Sequence, residues 1–225
     1  MFDYQIDDSF YDYLFEIQPD LAIIQEARFN RLSKDRYSVV FPKGYDMSII
    51  DSRIRLTVAF YKQDWIRADD VDFGKYNYSH IRLKYNEWIV LGLHVPNINE
   101  NSEMEDLKKL YVADIVCGDF NASSKTPESF NYKLYQLLID NNYCNLWEKG
   151  LCNNKAYYLN YKGLKLKAEG DTFFRTYSGN THIDYVLGTP NVEIEEITVD
   201  FRTLAFTDHC GIIVDVKEKK GDSIC

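Results

Sequence analysis

Val116-Cys117-Gly118-Asp119-Phe120-Asn121 is a short apolar run that ends in Gly, Asp and Asn. Val112, Ile115 and Val116 favour extended backbone, so residues 111–116 read as a strand with a turn-prone exit. A strand that delivers an acid and an amide at its tip can present oxygen ligands and a hydrogen-bond donor to a cleft. The same residues can instead satisfy local backbone in an Asx turn. Four other stretches bear on that choice.

Leu21-Ala22-Ile23-Ile24 is a continuous apolar run, expected as a buried strand, and it stops at Gln25-Glu26. A carboxylate at the end of such a strand is costly unless it is paired or holds a cation; pairing with Arg28 or Arg31 at the rim is the alternative. Trp88 to Leu93 is strongly apolar and ends in His94-Val95-Pro96-Asn97. In His182-Ile183-Asp184-Tyr185-Val186-Leu187 the Asp184 carboxylate lies within an apolar stretch and needs a donor. Thr207-Asp208-His209 precedes a closing strand, Gly211 to Val216.

Elsewhere Phe10, Leu14 and Phe15 have helical spacing over residues 7–18, and Pro19-Asp20 ends that pattern. Strands are expected at 37–41, at 53–61 and at 81–85, the last as an edge strand, with a polar loop at 62–80. A helix is expected over 101–113, and another after Thr126-Pro127, which supply a cap and a first-turn proline. That second helix runs through Phe130, Leu134, Leu137 and Leu138 to about Asn141-Asn142. Residues 143–170 read as irregular and rich in Tyr and Lys, a pattern that can stack on bases and touch phosphates, or form a solvated loop with packed tyrosines. Thr172 to Arg175 starts another strand.

A formal charge of -9 argues against a protein that grips nucleic acid through a broadly basic surface. It leaves room for a nuclease, because carboxylates that hold a divalent cation push the total negative. Five cysteines without a pairing pattern point to a reducing compartment, the cytoplasm, and no CxxC spacing suggests zinc. No signal peptide is read at the N-terminus, and no apolar run approaches the ~20 residues of a membrane span. Residues 1–216 read as one domain, and 217–225 as a disordered tail.

Glu26, His94, Asp119 with Asn121, Asp184, and Asp208 with His209 are thus polar groups at strand ends or within apolar strands. Hard carboxylate oxygens favour Mg²⁺ or Mn²⁺ over zinc. Such a cation, a carboxylate base and an imidazolium together suit phosphate-ester hydrolysis.

The sequence resembles the endonuclease/exonuclease/phosphatase superfamily, which includes pancreatic deoxyribonuclease, apurinic-site endonucleases, neutral sphingomyelinases and inositol polyphosphate 5-phosphatases. The resemblance rests on Ile24-Gln25-Glu26, Leu93-His94-Val95-Pro96-Asn97, Gly118-Asp119-Phe120-Asn121, Ile183-Asp184-Tyr185 and Thr207-Asp208-His209, in that order from about Phe10 to Val216. It implies a deoxyribonuclease I-like α/β fold, a four-layer α/β/β/α sandwich of two mixed β-sheets. By the same resemblance Glu26 binds the metal with Asp208 close by, Asp119 orients or deprotonates the attacking water, and Asn121 holds the scissile phosphate. His209, oriented by Asp184, contacts the phosphate; His94 contacts it or assists the leaving group, and Asn97 helps position it. His182 stands where the family commonly has Arg. The family usually opens with a strand carrying a Trp-Asn pattern, which this chain lacks; upstream sequence or a partner chain is the expected source of that strand.

The activity implied is that of an Mg²⁺- or Mn²⁺-dependent phosphodiester hydrolase, foremost an endonuclease acting on DNA. The alternatives are a phosphatase or phosphodiesterase for inositol phosphates, phospholipids or nucleotides, and an inactive binding module that keeps the fold.

Overall fold

Pro19 and Asp20 break helix α1 (Asp8–Ile17) and release the chain into β1 (Leu21–Ala27). The computed structural model describes residues 8–27, 45–50, 56–62, 64–68, 80–98, 113–169, 175–178 and 181–217. After β1 come β2 (Tyr45–Ile50), β3 (Leu56–Lys62), β4 (Ile66–Arg67), β5 (His80–Tyr85), β6 (Trp88–His94) and β7 (Ile115–Asp119). Helix α2 (Phe130–Asp140) leads to β8 (Cys144–Asn145), α3 (Leu146–Cys152), β9 (Ala156–Leu159) and β10 (Lys165–Lys167). The chain closes with β11 (Asp184–Gly188), β12 (Ile194–Asp200), a 3-10 helix (Phe201–Ala205) and β13 (Gly211–Val216).

Six strands form a mixed central sheet in the order β4-β5-β6-β7-β11-β8, with β6 and β7 parallel and their outer neighbours antiparallel. Successive side chains on a strand point to opposite faces, and the two cores follow that alternation. Leu91, Leu93, Val116, Tyr185 and Leu187 face α2, where Leu134 and Leu138 are fully buried. Val90, Ile115 and Val186 face the other way, onto Ile194, Ile197 and Val199 of β12 and the half-buried Ile23 of β1. Gly92 leaves the space that Ile23 fills, since a Cβ there would lie 2.5 Å from its side chain.

The second sheet layer is split. One part has the order β1-β3-β2 and the other β10-β9-β12-β13. Among the described residues β1 and β13 each pair on one side only, and a cavity of about 900 Å³ lies between their free edges. Val90, Ile115, Cys117 and Val186 of the central sheet line it on one side; Phe10, Leu14 and Ile17 of α1 line it on another. The helix and sheet layers therefore run α2, central sheet, split sheet, α1, a four-layer α/β/β/α sandwich.

That slot explains one difference from the sequence reading. Leu21–Ile24 was expected to be buried, yet it is only half-buried, as is Ile212–Val214, because each borders the slot. Strand β5 is not an edge, since β4 pairs with it from within the expected polar loop. The central strand begins at Ile115, with Ala113 and Asp114 outside it, and runs on to carry Asp119 inside the ladder. Helix α2 starts later than Thr126-Pro127 suggested: the Ser129 hydroxyl accepts from Tyr132 N and caps it. Residues 143–169, expected as irregular, contain β8, α3 and a β9–β10 hairpin, and Asn145 caps α3 by accepting from Trp147 N. Arg175 is in no strand. The expected elements at 37–41 and 101–112, and the tail beyond Lys217, lie outside the described residues, as do Arg28 and Arg31.

Candidate active site

The same alternation that builds the cores gathers the polar tips. His94 continues the Val90 and Gly92 face, Asp119 the Ile115 and Cys117 face, and Asp184 the Val186 face. All three therefore point between the sheets at one end. They also share a row, because His94 pairs in register with Asp119 and Asp119 with Asp184. Gly118 has φ +137°, and a Cβ there would lie 1.9 Å from Leu93 O, so only glycine lets β7 approach β6 at this level. Val95 N donates to Asp119 O at 2.7 Å and fixes the chain beyond His94.

Asp119 does both things that its sequence position allowed. Its Oδ1 accepts from Asn121 N at 2.7 Å, an Asx turn with Asn121 at φ +50°. Its Oδ2 lies 3.7 Å from His94 Nε2. Glu26 comes from the opposite layer, where the β1 register shifts between Ile24 and Ala27 and Glu26 itself takes φ +58°. Its Oε1 lies 3.5 Å from His94 Nε2, so two carboxylates flank one imidazole. Asn121 Nδ2 donates to Val95 O at 2.9 Å and sits 3.4 Å from His94 Nε2.

His209 enters from the residues before β13. Its Nδ1 is 3.0 Å from each oxygen of Asp184, and its Nε2 is 3.6 Å from Asp208 Oδ1. Burial works against the imidazolium, but the Asp184 hydrogen bond and charge outweigh it and raise the His209 pKa to about 9. The Asp119 carboxyl is pushed well up from its ordinary value by burial and by the neighbouring Asp184 charge, with His209 opposing. A raised carboxylate beside a held imidazolium suits proton uptake from water next to a stabilised anion.

The donor set can accommodate a hard divalent cation. Asp208 Oδ1 is buried and accepts no hydrogen bond, facing the His209 ring at 3.6 Å, so it keeps lone pairs that a cation could use. Among the described residues Asp119, Asp184 and His209 form a group of possible ligands whose donor atoms lie within 4.8 Å of one another. A protonated imidazole has no lone pair to give, so within that group the carboxylates are the hard donors. Glu26 and Asp208, the expected ligands, border this group without belonging to it.

Six of the expected residues, Glu26, His94, Asp119, Asn121, Asp184 and His209, are linked by the contacts above, and Asp208 adjoins His209. Asn97 is exposed in the loop after β6 and makes no hydrogen bond to the cluster. The neutral His182 is held outside it: burial lowers its pKa to about 4, Nε2–H donates to Asp184 O at 2.8 Å, and the ring stacks on Tyr185.

Sequence reasoning missed the residues that hold these tips in place. Buried Asn131 on α2 accepts from Ile98 N and donates to Pro96 O and Phe120 O, tying together the loops after β6 and β7. Buried Thr176 accepts from Ile183 N and Asp184 N, both at 3.0 Å. The Tyr177 ring lies 5.0 Å from that of His209. Only the polarity of Asn131 on the inner face of a helix could have signalled any of this.

No protein-family model and no curated protein sequence matches the chain. Solved structures do. An AP endonuclease from Archaeoglobus fulgidus superposes with TM-score 0.63 at 15% identity, over 92% of this chain and 93% of the other. The 3′ phosphatase NExo from Neisseria, bound to a product DNA hairpin, gives TM-score 0.63 at 13% identity and 93% of both chains. An endonuclease/exonuclease/phosphatase from Bacteroides vulgatus gives 0.60 at 14% identity, over 94% and 90%. The fold is that of the endonuclease/exonuclease/phosphatase proteins.

Proposed function

We propose that this chain is a divalent-metal-dependent phosphodiester hydrolase and that its substrate is DNA, cleaved as by an endonuclease. The observation that carries this is the row His94–Asp119–Asp184 with His209 clamped on Asp184, at the open end of the sheets. The similarity to nucleases and to a 3′ phosphatase in fold supports it. Residues 1–216 act as one domain in this reading. The four described cysteines are all free, in keeping with a cytoplasmic protein, and no helix among the described residues is long and apolar enough to cross a membrane.

Glu26 and Asp208 would hold Mg²⁺ or Mn²⁺, which neutralises phosphoryl charge when bound. Asp119 takes the proton of the attacking water. The phosphorus–oxygen bond to the leaving group breaks as the new bond forms, and His209, protonated and aimed by Asp184, stabilises the charge on the phosphoryl oxygens. Asn121 holds the phosphate, and His94 contacts it or supplies a proton to the leaving oxygen. Asn97, exposed beside the cluster, positions the substrate. The slot in the split sheet is bordered by strands of seven and six residues, each paired on one side only among the described residues.

The acidic charge of -9 favours a second reading, a phosphatase or phosphodiesterase for inositol phosphates, phospholipids or nucleotides. Hydrolysis of an abasic duplex, supercoiled plasmid, inositol phosphates and sphingomyelin separates the two. DNA cleavage supports the first reading; turnover of only the small or lipid substrates replaces it with the second.

A further inference from the structure

In a chain of net charge -9, residues 155–168 contain four lysines and no acidic residue. This basic stretch is the β9–β10 hairpin, and its position is fixed relative to the site. Leu159 pairs with Asp200, and Asp200 with Gly211, two residues after His209. The hairpin tip therefore stands at the same end of the sheet as the catalytic cluster.

The tip is rigid. Asn160 Oδ1 accepts from Lys162 N at 2.9 Å and Leu164 N at 3.0 Å, and Gly163 turns the chain at φ +75°. It presents the Tyr161 ring, 62% exposed, to solvent. That ring is anchored on its inner side: Arg175 Nη2 donates to Tyr161 Oη at 2.7 Å, and the Phe201 ring lies 6.0 Å away. The Arg175 guanidinium is also 6.0 Å from the Phe201 ring. Two residues on, Tyr177 bridges to His209 and sets its ring 5.0 Å from the imidazole. Arg175 and Tyr177, two residues apart on one segment, thus connect Tyr161 at the tip with His209.

Lys165 is paired with Glu196, and Arg202 with Asp200 and Glu16, so these cations are internally neutralised. Lys162 and Lys167 form no ion pair with any described residue, and Arg175 spends one donor on a neutral hydroxyl. An exposed aromatic face among cations with no ion-pair partner in the described residues matches the stacked bases and phosphates of a single strand.

We propose that Tyr161, Lys162 and Arg175 form a subsite for the nucleic-acid strand that leaves the catalytic cluster. A base stacks on Tyr161, and its flanking phosphates meet Arg175 and Lys162. This rests on the nuclease reading above and assigns the element that recognises the polymer rather than the scissile phosphate. The stack is indifferent to base identity, so the subsite gives affinity and direction without sequence choice. Exposed Leu164 beside the lysines gives the same hairpin some character of a lipid-facing loop, but a single aliphatic side chain and a Tyr hydroxyl tied to Arg175 fit a base better than an acyl layer.

The test compares the purified chain with Tyr161→Ala, Tyr161→Phe and Lys162→Ala, in Mg²⁺ or Mn²⁺. Substrates are a DNA duplex with a single-stranded overhang and the small diester bis(p-nitrophenyl) phosphate. Tyr161→Ala is expected to raise KM for the DNA about 5- to 150-fold while leaving the small diester within twofold of wild type. Tyr161→Phe retains most of the DNA affinity, and Lys162→Ala reduces the salt dependence of KM by about one phosphate contact. An unchanged KM in Tyr161→Ala, with wild-type DNA cleavage intact, overturns the subsite and leaves the nuclease reading standing. Hydrolysis of the small diester without any DNA cleavage overturns both. Sedimentation with phosphatidylserine vesicles that is lost in Tyr161→Ala, with DNA KM unmoved, reassigns the hairpin to a lipid surface.

Discussion

Asp119 and Asp184 are directly paired residues on adjacent antiparallel strands, and the imidazole of His209 is bound to Asp184 at 3.0 Å. Two buried carboxylates side by side repel, so they are not equivalent: Asp184 stabilises an imidazolium, whereas Asp119 is left with a raised proton affinity. That asymmetry is what separates a base from a clamp.

Asp184→Asn removes the clamp without emptying the space. The account expects kcat to fall by ~10²–10⁴ with KM little changed. The His209 pKa, followed by NMR of its ring protons, should drop from about 9 toward the ordinary histidine range.

Both Asp119 and His209 bind protons more tightly folded than unfolded, so the cation-free protein should lose stability as pH rises. The His209 contribution is fully present below its ordinary value near 6.5 and is lost as pH climbs through about 9. Asp119 acts with the same sign from the ordinary carboxylate range upward. Buried His182 acts with the opposite sign below its ordinary value near 6.5, so thermal melts in EDTA should show a falling Tm from pH 7 to pH 9.5. Added Mg²⁺ or Mn²⁺ should raise Tm most at the alkaline end, where the carboxylates are free of protons.

Asn131→Ala deletes three hydrogen bonds and strands buried backbone groups on two loops. A cost of about 2 kcal/mol or more is expected in chemical denaturation. Activity should fall further than stability alone explains, because the loops carrying His94 and Asn121 lose their common anchor.

Gly118→Ala places a methyl group 1.9 Å from Leu93 O at a φ that other residues avoid. Relief requires parting β6 from β7, so a loss above about 3 kcal/mol, or failure to fold, is expected. Cys117→Ala, one residue away on the opposite side of the backbone, should be tolerated far better.

Much of the candidate site was legible because each of its groups ends, interrupts or precedes an apolar run. Glu26, His94, Asp119, Asp184 and His209 break patterns of burial, and a broken pattern is visible in one dimension. The supports were not legible, since Thr176 and Asn131 act only through chain segments that the fold brings to them. Strand β12 and helix α3 were missed for a related reason: β12 opens Ile194-Glu195-Glu196-Ile197, where a register shift breaks the alternation of a strand, and α3 has only seven residues, too few for a helical period to show. The half-buried state of β1 was hidden as well, because an apolar run looks the same whether its edge is paired or borders a slot.

The most direct test is nicking of supercoiled plasmid by the purified chain in Mg²⁺ or Mn²⁺, with EDTA, Asp119→Ala and His209→Ala as controls. The account predicts metal-dependent nicking, abolished by EDTA and reduced at least ~10²-fold in both variants. Wild-type nicking that persists undiminished in the two folded variants would contradict the assignment of this cluster. A folded, metal-loaded wild type that leaves the plasmid intact would contradict the nuclease reading itself.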